Sequence, residues 1–96
     1  VRVLFSKRAE KGLEKIFSHV VKTFSHQRGQ AVRDELIASI RKLGKFPELG
    51  AKIAGQADKR LFVVAGNLVV YEVVLRAEPL IVIRNIRPRR TEATKT

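Results

Sequence analysis

The chain has no cysteine, no methionine and no tryptophan, a single tyrosine, and only 9 acidic residues against 20 Lys and Arg. Without cysteine there is no disulfide framework, no thiolate zinc site and no thiol nucleophile. Long apolar runs are missing too. The longest, Leu61 to Ala65, is far short of the roughly 20 residues of a membrane-crossing helix, and no basic-then-apolar leader opens the sequence. A cytoplasmic protein without membrane contact is therefore expected. The lack of methionine means that the initiator has been removed or that the numbering starts inside a longer product. Aromatic residues are Phe5, Phe17, Phe24, Phe46, Phe62 and Tyr71. At least three of the phenylalanines fall on core positions, so a base-stacking platform for single-stranded RNA is not expected. There is no Gly-rich phosphate loop, nucleophile elbow or dinucleotide fingerprint. His19 and His26 are seven apart with basic neighbours and no third ligand. Neither metal nor cofactor is expected.

What is present describes one domain spanning residues 1–96, with a basic, polar tail from 88 to 96. A composition 45% hydrophobic and 30% charged supports a folded chain rather than a disordered one. The net charge of +11 narrows the partners to nucleic acid, an anionic membrane or an acidic protein.

Hydrophobic spacing sets the element order. Val1 to Phe5 reads as a short strand, and Ser6 is an N-cap for the helix after it. Ala9, Leu13, Ile16, Phe17, Val20 and Phe24 make one apolar stripe on a helix over 7–24. Lys7, Arg8, Lys11, Glu14, Lys15 and Lys22 lie off that stripe as a solvated face, where Glu10 and Glu14 would form weak pairs with nearby lysines. Ser25 to Gly29 reads as a turn. Val32, Leu36, Ile40 and Leu43, with Ile37 beside them, give a second helix over 30–43, closed by Gly44. So short a connection implies an antiparallel helical hairpin. Residues 45–58 hold Gly50, Gly55 and Pro47 and read as a loop. The period then changes. Residues 59–65, 68–75 and 80–87 are β-branched and apolar, separated by Gly66-Asn67 and by 76–79, as in an antiparallel meander. The order β-α-α-β-β-β is that of an α+β domain with a helical hairpin across one face of a small, twisted, mostly antiparallel sheet.

This order, the length and four local patterns together resemble the ParE/RelE toxins of type II toxin–antitoxin systems, the ParE branch most. Phe46-Pro47-Glu48-Leu49-Gly50 resembles the Pro-x-hydrophobic-Gly turn after the second helix. Lys59-Arg60-Leu61-Phe62-Val63-Val64 resembles the basic start of a strand, and Asn67 to Val73 the strand ending in Tyr-x-Val. Ile81 to Arg90 resembles the last strand with its basic close. The resemblance implies a bacterial toxin, held inactive by a cognate acidic antitoxin in a hetero-oligomer. It implies DNA gyrase as target in the ParE branch, or mRNA in the ribosomal A site in the RelE branch. Operator DNA would be reached only through the antitoxin.

Cleaving RNA through its 2′-hydroxyl needs a base, an acid and cations for the developing charge. Nuclease relatives place a His or Tyr near the end of the chain. Here that segment reads Arg87-Pro88-Arg89-Arg90-Thr91-Glu92, and arginine stays protonated. No catalytic residue is assigned, and a gyrase-binding toxin is the expected function. The alternatives are a ribosome-dependent endoribonuclease and a non-toxic, basic nucleic-acid-binding module. The expected target-binding residues are Arg84, Arg87, Arg89 and Arg90, with Arg60 as an adjunct that has a structural alternative in pairing with Glu48 or Asp58. Tyr71 shares a strand face with Val69 and Val73 and is expected in the core.

Overall fold

The computed structural model describes residues 1–89. Strand β1 (Arg2–Phe5) leads into α1 (Lys7–Thr23) and α2 (His26–Lys42). Four strands follow: β2 (Ala51–Ile53), β3 (Gln56–Val64), β4 (Asn67–Val74) and β5 (Leu80–Pro88). They form one sheet in the order β1-β5-β4-β3-β2. β1 runs parallel to β5 and every other pair is antiparallel. The two helices cover one face, as the hydrophobic stripes require. Ala9 and Ile16 from α1, and Leu36, Ile40 and Leu43 from its neighbour, are buried against Val64, Val69, Tyr71, Ile81, Ile83 and Ile86.

The structure corrects the sequence reading in five places. α2 starts at His26, not at residue 30, because Ser25 caps it by accepting a hydrogen bond from the Arg28 N–H at 3.0 Å. Gly29 is thus a buried helical residue. A Cβ there would come within 2.6 Å of Val21 Cγ2, so Gly29 marks the close crossing of the two helices. The segment 45–58 is not one loop. Gly55, at φ +78°, turns the chain between β2 and β3, giving five strands rather than four. Gln56, Ala57 and Asp58 are exposed, so they carry no apolar alternation from which a strand could be read. Phe24 is 62% exposed rather than part of the stripe, and the Arg28 guanidinium lies 5.0 Å from its ring centre. The lysine pairs expected for Glu10 and Glu14 are absent among the described residues, where Arg84 with Glu72 is the one ion pair. Lys7 and Lys11 precede the two glutamates by three residues, the less favourable order along a helix.

The β3–β4 turn is Ala65-Gly66, one residue earlier than the sequence suggested, since Val64 pairs with Asn67. Ala65 sits at φ +51° and Gly66 at +77°. Positive φ at both positions is the requirement of a type I′ turn. The Asn67 amide donates to the Ala65 carbonyl at 2.9 Å. A left-handed alanine costs roughly 1–2 kcal/mol, which asparagine largely avoids. Ala65→Asn is therefore expected to stabilise the fold by about 1 kcal/mol, and to raise Tm by about 4–8 °C. A thermal melt by circular dichroism checks it.

Candidate functional site

Among the described residues, the sequence-selected arginines Arg60, Arg84, Arg87 and Arg89 do not form one surface. Arg60, on β3, is partly buried, and its Nη1 donates to the Gly50 carbonyl at 2.7 Å. It makes neither of the ion pairs foreseen for it among the described residues. Tyr71 completes the same structural knot. Its hydroxyl accepts from the Gly50 N–H at 2.8 Å and donates to the Pro47 carbonyl at 2.7 Å. The ring is 0% exposed and meets Phe62 edge-on, with centroids 5.9 Å apart. Burial is the main cause that raises the phenol pKa, with the Gly50 hydrogen bond and the Arg60 charge acting the other way. The Pro47–Gly50 turn thus lies where it does because one buried phenol and one arginine hold it.

Arg84 has a different local partner. The β4–β5 register shifts between Val70, opposite Asn85, and Tyr71, opposite Ile83. Arg84 is the extra residue of that bulge. Its Nε donates to Glu72 Oε1 at 2.8 Å, and Nη2 donates to the same oxygen. The Arg84 side chain is 46% exposed and that of Glu72 only 19%, and the pair occupies one side of the guanidinium.

Arg87 and Arg89 stand apart from both, exposed at the far end of β5. Arg87 pairs with Leu68, and Leu68 with Val63. The row of Arg60, Tyr71 and Ile83 therefore lies three residues along and two strands across, about 14 Å away. The Arg89 N–H donates to the Gly66 carbonyl at 3.0 Å, which ties the end of β5 to the β3–β4 turn. Arg90 lies outside the described residues.

What Arg87 does meet is α1. β1 accompanies β5 only from Leu80 to Ile83, and beyond that α1 flanks the strand. Ser6 starts this docking: its N–H donates to the Ile83 carbonyl at 3.0 Å and its Oγ to the Arg84 carbonyl at 3.1 Å. The same oxygen caps α1 by accepting from the Ala9 N–H at 3.1 Å. Six residues on, Gly12 lets the helix lie against β5 so closely that a Cβ would stand 2.1 Å from the Ile86 carbonyl oxygen. Between the two elements is an open cleft of about 250 Å³. Gly12 and Ile86 line it, and Arg8, Lys11, Lys15 and Arg87 surround them. Among the described residues, no carboxylate lines it. Glu10 and Glu14 face a separate groove with Arg33 of α2.

Sequence reasoning selected Arg87 and Arg89 but placed Arg8, Lys11 and Lys15 on a merely solvated face. Their 3-and-4 spacing was a visible signal that they share one side of α1. That this side borders the end of β5 depends on the Gly12 contact, which periodicity does not encode.

Among the described residues, no helix is long and apolar enough to cross a membrane. Residues 3–93 match the family model described as the ParE toxin of type II toxin–antitoxin system, parDE. A solved structure entitled "Chromosomal ParDE TA system from P. aeruginosa" is similar in fold, with a TM-score of 0.77 at 13% identity. The similarity covers 94% of this chain and 97% of that one. No curated protein sequence gives a match.

Proposed function

Because the chain belongs to the ParE family of type II toxins, we propose that it arrests growth by binding DNA gyrase and that a cognate acidic antitoxin neutralises it. The observation that carries the choice of target is the engagement of Tyr71. A ribosome-dependent nuclease needs a group that can take a proton from a 2′-hydroxyl. The one tyrosine is buried, donates to Pro47, accepts from Gly50 and has its pKa pushed up. At the end of β5 the described side chains are Arg87 and Arg89, which hold their protons at any physiological pH. This end of the molecule is suited to binding an acidic surface, not to proton transfer. With a net charge of +11, association with an acidic antitoxin is electrostatically accelerated. The place of action is the bacterial cytoplasm, where gyrase and its DNA are.

Purified gyrase titrated with the chain is expected to lose supercoiling activity, and addition of the antitoxin to restore it. Cleavage of translated messages on purified ribosomes, with gyrase unaffected, would establish the nuclease reading instead. Replacing Arg87, Arg89 and Arg90 together by alanine is expected to abolish growth arrest without unfolding the chain. A triple variant that shows wild-type circular dichroism and full toxicity would remove the basic end of β5 from the target-binding surface.

A further inference from the structure

The cationic cleft is one end of a longer feature. Arg8, Lys11, Lys15, His19 and Lys22 are all exposed on α1. At about 100° per residue they fall within an arc of about 80°, and they span about 21 Å of helix. Glu10 and Glu14 lie outside this arc, about 140° and 100° round the helix from its centre, and line the groove toward α2. Charge on α1 is therefore sorted by face, and the basic face continues across the cleft to Arg87.

We propose that this stripe binds the phosphodiester backbone of duplex nucleic acid, DNA in the first instance, so that the toxin makes phosphate contacts of its own. The proposal does not depend on gyrase being the target. Charge complementarity chooses the occupant. Interfaces with proteins are depleted of charge at their centres and anchored by apolar or aromatic side chains. Every position in this arc is instead basic, and nucleic-acid interfaces are the strongly positive ones. Lys and Arg contacts to phosphate fix position without reading sequence. A straight, rigid row also suits a regular duplex backbone better than a flexible strand.

The test is fluorescence anisotropy of a labelled DNA duplex of about two helical turns with the full chain. Five contacts, from Arg8, Lys11, Lys15, Lys22 and Arg87, give a log–log salt slope near −4.5, so affinity is expected to fall about 500-fold between about 50 and 200 mM salt. The Arg8→Gln, Lys11→Gln, Lys15→Gln variant keeps Lys22 and Arg87 and should retain a slope near −1.8, a fall of only about 12-fold over that range. A charge-matched control, Arg41→Gln, Lys42→Gln, Lys45→Gln, alters exposed residues at the end of α2 and should keep the wild-type slope. Circular dichroism verifies that both variants are folded, and Arg87→Gln alone should reduce the slope by about 0.9. Single-stranded RNA of equal length serves as the second source of phosphodiester and is expected to bind more weakly. The proposal is overturned if the wild type does not bind the duplex at the lower salt, or if both triple variants lose the slope equally. It is also overturned if a poly-glutamate peptide displaces the duplex at lower charge concentration than unlabelled duplex does, which would make an acidic protein the occupant.

Discussion

Gly12→Ala is expected to lower the free energy of unfolding by about 3 kcal/mol, the upper part of the range for overpacking. Helix propensity alone predicts the opposite sign, since alanine is favoured over glycine by about 1 kcal/mol in a helix interior. The local geometry decides the matter. An added Cβ would stand 2.1 Å from the Ile86 carbonyl oxygen and 3.1 Å from its carbon. Both are backbone atoms of a strand hydrogen-bonded to β4, so neither yields as a flexible side chain would. The helix must tilt away and strain the Ser6 contacts to Ile83 and Arg84. A chain of this length has only about 5–14 kcal/mol of stability, so a large fraction is at stake. Urea unfolding gives the measurement: the midpoint should drop with little change in the slope. A midpoint that rises would show that propensity outweighs packing at this contact.

Tyr71→Phe is expected to cost about 3 kcal/mol, because it strands two backbone groups at once. The Gly50 N–H and the Pro47 carbonyl both lose their partner, while the ring contact with Phe62 survives. pH supplies a second readout. Burial raises the folded-state pKa of Tyr71 above its ordinary value of 10.0. The unfolded phenol therefore loses its proton at a lower pH than the folded one. Above that pH the unfolded state binds fewer protons, and stability falls as pH rises. The contribution is fully present below pH about 10 and is lost as pH climbs through the folded pKa. The phenylalanine variant should lack this component, so the stability difference between the two proteins should narrow in strong alkali. A constant difference would mean that the folded phenol titrates normally.

The hydrophobic pattern was sufficient for both helices, whose apolar positions repeat at 3.6 residues, and for the long strands, which are near-continuous β-branched, apolar runs. It failed where the backbone is held by something else. Ser25 starts α2 through a side-chain cap, and the start of β3 is exposed, so neither leaves a hydrophobic trace. The candidate site shows the same division. Arg87 and Arg89 were recognisable from their cluster on the last strand. Arg60 was not recognisable as a structural residue, since its partner is the Gly50 carbonyl, and a carbonyl has no identity in a sequence. Arg84 looked equivalent to Arg87, yet the bulge sets it beside Glu72. The contribution of Arg8, Lys11 and Lys15 depended on which strand lay beside their helix face.

The parallel pairing of β1 with β5 also has a temporal meaning. A ribosome makes β1 first and its only strand partner after every other element of the described fold. During synthesis the two helices therefore exist without most of the sheet that buries their apolar stripes. The cleft between α1 and the end of β5 has no second wall until Arg87 has been added. The junction of the basic α1 face with Arg87 forms only when translation of the sheet is nearly complete. A chain halted before β5 lacks Ile81, Ile83 and Ile86, so the apolar stripes of both helices stay partly uncovered.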